Sequence, residues 1–290
     1  MDRHLPVMVR EVLSILNPKP EGIYVDATFG LGGHAIEILN CLDHEGRLFG
    51  IDRDEEALEI ARERIADERV VIVKGRFSEM KNLLKGAGIT EVDGILFDFG
   101  ISMVQLRDDA RGFSFTSGEP LDMRMDRSQQ LKAEDVVNEY PEEELERILR
   151  EYGEEWFSMK IAREIVVHRK KKRISSCAEL AEIVSRVYRR RGRIHPATKT
   201  FQALRIEVND ELNEIRCGLD ISIGLLRSKG RICTLSYHSL EDRVVKRYMR
   251  EEERKGLVRI VTKKPLCPSI EEVQMNPSSR SAKLRGAERL

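Results

Sequence analysis

Tryptophan occurs once in 290 residues, cysteine five times, proline nine times, and asparagine and glutamine together only twelve times. The cysteines, Cys41, Cys177, Cys217, Cys233 and Cys267, are odd in number and scattered, with no C-x-x-C pair. That argues against a disulfide framework and against a zinc site, and leaves them as small apolar side chains; no metal is expected. Long apolar runs are also missing. The longest clean one, Val70-Val71-Ile72-Val73, is far short of the roughly 18 residues of a membrane span, and Met1 to Pro6 has no signal-peptide character. A cytoplasmic protein with no membrane partner is expected. Net charge is absent as well, 50 basic residues balancing 50 acidic ones, which at first removes the electrostatic case for a nucleic-acid partner. What is present is an ordinary globular apolar fraction of 41% and an excess of charge at 34%, the surface expected of a thermophile's ion-pair networks. The length suffices for one large domain or two smaller ones.

From residue 22 onward, β-branched runs alternate with helical periodicity, the order of a parallel sheet. Strands are expected at 22–26, 47–52, 70–74 and 94–98, with a helix from Asp54 to Ala66. Between about 106 and 200 no convincing strand occurs. Helix signals take over: Pro141 before Glu142 to Arg150, and Ser176-Cys177-Ala178-Glu179 as a capping box. The sheet resumes at 230–235, between helical stretches near 207–226 and 240–253, and 258–262 reads as a last strand. The expected organisation is therefore a sheet domain of residues 1–106 and 201–290 with a helical insertion at 107–200. Charge follows this division. Residues 134–155 hold ten acids and two bases, 160–193 twelve bases and three acids, and 243–290 thirteen bases and six acids. A single run such as Arg169 to Arg173 reads as a solvated face; two such runs, with Arg189 to Arg193 as the second, plus a basic tail point to phosphate contact.

Gly30, Gly32 and Gly33 lie between the first strand and a helix, where backbone can approach a ligand closely. Alone they would also serve a tight turn. Asp52, about 20 residues on at the end of the next strand, is placed to accept from a ribose diol, so a nucleoside-containing cofactor is expected at the carboxyl ends of the strands. Asp26, at the tip of the first strand, would repel a pyrophosphate but can face an aminoacyl group. No lysine follows the glycines as a triphosphate loop requires. S-adenosylmethionine is favoured over NAD. His34 is placed either for a ligand contact or for helix packing. Asp98 is the only ionisable side chain at the end of the fourth strand. An acceptor there can orient an amine and take its proton as a methyl arrives, or it can hold the cofactor.

Several blocks then carry a resemblance. His4-Leu5-Pro6-Val7-Met8, Asp26 to His34, Asp98-Phe99-Gly100-Ile101-Ser102, Arg111-Gly112-Phe113-Ser114-Phe115, Pro120 to Asp126, His195 to Thr198 with Thr200 to Ile206, Ser236 to Arg243, and Asn276 to Arg285 resemble the MraW/RsmH family of small-subunit ribosomal RNA cytosine methyltransferases. The blocks keep the family's order over nearly the whole chain. The resemblance implies a Rossmann-like class I methyltransferase sheet with an inserted helical substrate-recognition domain. It implies methyl transfer from S-adenosylmethionine to the exocyclic N4 amine of a cytidine in the decoding region, with the RNA or the assembled small subunit as partner. It also implies cofactor contacts at Gly32, Gly33, His34, Asp52, Phe77, Asp98 and Gln105. The family usually has a Ser-Pro-Gln ending after the fourth strand, whereas here Ser102-Met103-Val104-Gln105 lacks the proline and retains Gln105.

A stacked, paired cytosine cannot offer its amine to a buried methyl, so the target must be single-stranded or flipped and held by stacking. Phe113, Phe115, Tyr237 and His238 are the candidate platform, and Arg111, Arg124, Arg205 and Arg243 the candidate phosphate ligands; each also has a plain packing or surface role. Glu241 and Asp242 read as residues of a helix start. Three other functions compete: an NAD-dependent oxidoreductase, which leaves the basic insertion idle; a noncatalytic RNA-binding module, which leaves the cofactor pocket idle; and a methyltransferase of DNA or protein.

Overall fold

A computed structural model describes residues 5–102, 105–106, 108–115, 119–188 and 195–290. His4, Met103, Val104 and the run Arg189 to Arg193 lie outside the described residues. The chain divides into two compact units, residues 1–100 with 212–290, and residues 101–211. The expected boundaries at 106/107 and 200/201 both fall inside the second unit. Helix α9, Thr198–Asn209, runs through residue 200 and places Phe201, Leu204 and Val208 in that unit's core.

The first unit is built on a seven-stranded sheet of β1 (Ile23–Asp26), β2 (Arg47–Asp52), β3 (Val70–Lys74), β4 (Val92–Asp98), β5 (Leu226–Ser236), β6 (Val258–Ile260) and β7 (Lys283–Arg289), in the order β3-β2-β1-β4-β5-β7-β6. The first five are parallel neighbours; β7 pairs antiparallel with both β5 and β6. Successive side chains of a strand face opposite ways. Val25, Phe49, Ile95 and Phe97 accordingly join one apolar cluster and Tyr24, Leu48 and Leu96 another. Helices α1 (Val9–Leu16), α2 (Gly33–Leu39) and α3 (Glu55–Arg64) close the second cluster. Helices α4 (Met80–Gly86), α10 (Glu211–Leu225) and α11 (Ser239–Arg254) close the first. Covering both faces is what lets β4 be apolar almost throughout. The chain order reverses between β1 and β4, the position where ligands bind such sheets, beyond the strands' carboxyl ends.

The tail differs from its expected role as a basic surface. Its Lys283–Arg289 segment is the strand β7, and Arg285 is buried there. The Arg285 Nε donates to Asp242 Oδ1 at 2.7 Å and a second guanidinium nitrogen to Oδ2 at 3.2 Å. Asp242 is therefore an ion-pair partner as well as a first-turn residue. Removing one member of such a pair leaves the other charge buried and alone. Asp242→Ala is expected to lower stability by about 3 kcal/mol, read by urea denaturation, and Asp242→Asn by less.

The second unit is helical, with α5 (Ala133–Glu139), α6 (Glu142–Glu151), α7 (Ser158–Arg169), α8 (Cys177–Val187) and α9 around a core that includes Val136, Leu145, Ile148, Ile165, Leu180 and Leu204. The Ser176 hydroxyl accepts from the Glu179 N–H, the expected start of α8. Part of the basic stretch is turned onto α5 and its acidic residues. Arg173 lies 2.6, 3.3 and 3.5 Å from Glu134, Asp135 and Glu139. Arg169 donates to the Val137 and Tyr140 carbonyls at the end of α5, the terminus that favours a cation. Within the run 169–173, the exposed Lys170 and Lys171 keep the least engaged charge.

Candidate active site

Four carboxyl-terminal strand ends of the first unit bring together Asp26, Asp52, Asp98 and Tyr237. Gly30 and Gly32 have φ of +50° and +74°, values that favour glycine, and a Cβ on Gly32 would stand 2.3 Å from the Ile65 side chain. The Gly30 N–H donates to Asp52 Oδ2 at 2.7 Å, and the Asp54 N–H to Asp52 Oδ1 at 2.9 Å. Asp52 thus braces the glycine turn. Each of its oxygens has a second lone pair left for a diol. Burial raises its pKa, partly offset by those two N–H groups.

His34 sits at the start of α2, 7% exposed, with Nε2 2.8 Å from the Val7 carbonyl. A carbonyl can only accept, so Nε2 donates to it, and Nδ1 lies 3.6 Å from Asp98 Oδ2. Asp98 Oδ1 accepts the Tyr237 hydroxyl at 2.7 Å, and the Asp98 N–H donates to Thr28 Oγ1 at 2.6 Å. Asp98 is therefore fixed through Oδ1 and at its backbone, while Oδ2 stays open toward His34. Burial raises its pKa above the ordinary carboxylate range, and the Glu241 charge adds to this; the His34 charge and the Tyr237 hydroxyl pull the other way. Asp26, 2% exposed, is pushed up to about 7, first by burial and then by the Asp98 and Asp52 charges, against His34 and the Thr28 N–H.

Tyr237, expected in a stacking platform, instead aims its hydroxyl at Asp98. Tyr237→Phe removes a contact that favours the ionised form, so the acidic limb of the rate profile is expected to move to higher pH. The maximal rate is expected to fall by less than about tenfold, measured as initial rates between pH 5 and 9. His238 is the N-cap of α11: Nδ1 accepts from the Glu241 N–H and Nε2 lies 3.1 Å from Glu241 Oε1. Glu241 completes the cap, its Oε2 accepting from the Tyr237 and His238 N–H groups. Phe77 is in the core, edge-on to Phe97 and Phe99, with the Arg53 guanidinium 5.7 Å from its ring centre. Arg243 is exposed on α11.

In the second unit, Gln105 is buried and its side-chain oxygen accepts from the Ser102 N–H. Three arginines expected at phosphates are internal struts. Arg111 is 1% exposed and donates to the Arg124 and Met125 carbonyls. Arg124 pairs with both oxygens of Asp122 at 2.8 Å and donates to two further carbonyls. Arg205 pairs with both oxygens of Glu211 at 2.8 and 2.9 Å. Phe113 is buried in the core, whereas Phe115 is half-buried and stacks on His195 with ring centres 4.4 Å apart. Sequence reasoning missed Thr28 and the Val7 carbonyl as supports of the site, since only the fold brings them to Asp98 and His34.

Three carboxylates around one turn form a donor set for a cationic ligand and repel a pyrophosphate. The family model described as the MraW methylase family matches residues 1–290. The chain belongs to the MraW methylase family. Curated relatives are each named ribosomal RNA small subunit methyltransferase H. The one from Persephonella marina is 51% identical and that from Caldicellulosiruptor bescii 48%, each alignment covering 100% of both chains. That from Clostridium botulinum is 44% identical over 98% of this chain and 97% of its own. Among solved structures, a putative rRNA methylase from Clostridium thermocellum aligns with 97% of this chain and 96% of its own at TM-score 0.49 and 13% identity. As a member of this methylase family the protein is a methyltransferase, and no helix among the described residues is long and apolar enough to cross a membrane.

Proposed function

We propose that this methylase transfers a methyl group from S-adenosylmethionine to the exocyclic N4 amine of a cytidine in small-subunit ribosomal RNA, acting in the cytoplasm on the RNA or the assembled subunit. The reading rests above all on Asp98, a half-buried carboxylate between Tyr237 and His34 at the point where the sheet order reverses. S-adenosylmethionine supplies a methyl group already activated by its sulfonium. Gly32, Gly33, His34, Asp52 and Phe77 of the first unit would hold the cofactor; Gln105 is a cofactor contact by the family resemblance alone. The glycine turn admits it closely, Asp52 accepts from its ribose hydroxyls, and Asp26 faces its positive charge.

Asp98 accepts an N–H of the cytosine amine. That contact orients the nitrogen lone pair, and the carboxylate holds the proton released when the new N–C bond forms. Alignment of this kind contributes roughly 7–11 kcal/mol. The candidate substrate contacts of the first unit are Tyr237, His238 and Arg243; the helical unit, taken by itself, offers Phe115, stacked on His195. Labelled S-adenosylmethionine offered to naked ribosomal RNA, assembled small subunits, DNA and bulk protein, followed by digestion to nucleosides, tests the reading. Label in N4-methylcytidine from small-subunit RNA is expected; label confined to protein overturns it.

A further inference from the structure

A further recess has Tyr237 in its wall. It has a volume of about 280 Å³ and is lined by Tyr237, His238, Ser239, Cys267, Arg280 and Lys283, among others. We propose that this groove binds the backbone phosphate next to the methylated nucleotide, with Arg280 and Lys283 as its ligands. This rests on the RNA reading above and assigns a subsite that the cofactor pocket does not contain.

Three observations carry it. The groove adjoins the reaction centre through one residue: Tyr237 lines it, and the Tyr237 hydroxyl donates to Asp98 at 2.7 Å. The rim is cationic. Arg280 is exposed and has no acidic partner among the described residues. Lys283 lies 3.7 Å from Asp242, but that carboxylate is already held by Arg285 at 2.7 Å, which leaves the ammonium free to share a second anion. The recess also lies at the small end of the ligand-pocket range, which begins near ~300 Å³. That suits a single nucleotide unit.

The rim is placed by chain geometry. Residues Pro277–Ser281 form a short 3₁₀ turn ahead of β7, with Ser279 fully buried and its hydroxyl donating to the Asn276 carbonyl. The turn fixes Arg280 outward while β7 anchors the segment that follows. The opening position of the strand, Lys283, then stands beside it, opposite Ser236 of β5. Arg243, expected at a phosphate from sequence, is on the same helix as Ser239, four residues on.

Cys267 provides a direct reporter, because it lines the groove and is exposed. The full chain is treated with iodoacetamide with and without a small-subunit RNA fragment spanning the decoding region, and alkylation of Cys267 is compared with that of the half-buried Cys41 by mass spectrometry. RNA is expected to slow Cys267 at least fivefold and leave Cys41 unchanged. In parallel, Arg280→Ala and Lys283→Ala are each expected to weaken binding of the same fragment. Each should reduce the slope of log affinity against log salt by about 1, with S-adenosylmethionine affinity unchanged as the check that the fold is intact. If the wild type binds and methylates the RNA while Cys267 stays unprotected and both slopes are unchanged, the groove assignment is wrong and the functional reading stands. If the wild type neither binds nor methylates the RNA, both are wrong.

Discussion

Asp98→Asn is expected to lower the rate of methyl transfer by two to four orders of magnitude, the range a positioned general base contributes, while S-adenosylmethionine affinity is expected to change by less than about threefold. The amide is isosteric and its oxygen still accepts the Tyr237 hydroxyl, so the pocket keeps its shape. The charge that orients the amine and holds its proton is gone. A conjugated exocyclic amine is a weak nucleophile whose N–H becomes acidic only as the new bond forms, so a carboxylate acts mainly in the transition state. The loss therefore appears in kcat rather than in KM. The pH profile gives an independent readout. Burial raises the pKa of Asp98, and only the ionised form accepts. The wild-type rate falls as pH drops through that raised value, and the Asn variant has a flat profile in its place. Single-turnover rates with labelled cofactor, together with calorimetric cofactor binding, separate the two quantities. Full methyl transfer by Asp98→Asn with unchanged affinity would show that the carboxylate is a structural contact only.

The parallel half of the fold was legible because its signals are local. β2 and β3 have the bounds expected, and the glycines stand at the turn where the strand-to-helix pattern puts them. The seventh strand was not legible. Lys283-Leu284-Arg285-Gly286-Ala287-Glu288-Arg289 is charged and poor in β-branched residues, and it is a strand because β5 and β6 pair with it on either side. The arginines failed for a related reason. A sequence shows a charge and not its partner: Arg173 meets Glu134 from 39 positions away, and Arg111 reaches carbonyls 13 and 14 positions on. Asp98 was legible as the acid at a strand end, but the groups holding it come from Val7, Thr28, His34 and Tyr237, which only the fold assembles. The expected segregation of acidic and basic stretches is correspondingly reduced in space. Among the described residues, Arg280 and Lys283 line the groove beside Tyr237.

Asp26→Asn is expected to stabilise the protein at pH 8 and to weaken S-adenosylmethionine binding there by about tenfold or more, an affinity loss of ~1.4 kcal/mol. Both effects follow from a carboxyl group pushed from 3.8 to about 7 by burial and by its acidic neighbours. Between those two values the folded chain holds a proton that the unfolded chain has released. The contribution of Asp26 to stability is thus fully present below about pH 4, falls as pH rises through 7, and is lost above it. The cost at pH 8 is of order 4 kcal/mol at most, because each pH unit separating the folded and unfolded titrations is worth ~1.4 kcal/mol. Asn removes that cost, so the variant's gain in urea denaturation should be large at pH 8 and small at pH 5. The cofactor reverses the balance. Its sulfonium and ammonium charges favour the ionised carboxylate, so wild-type affinity tightens between pH 6 and 8 with release of a proton. S-adenosylhomocysteine lacks the sulfonium charge and shows a weaker dependence, and Asp26→Asn shows little with either. Calorimetry in buffers of different ionisation enthalpy reads the proton directly. A wild-type affinity independent of pH, together with a variant less stable at pH 8, would mean that Asp26 is an ordinary structural acceptor for the Thr28 N–H.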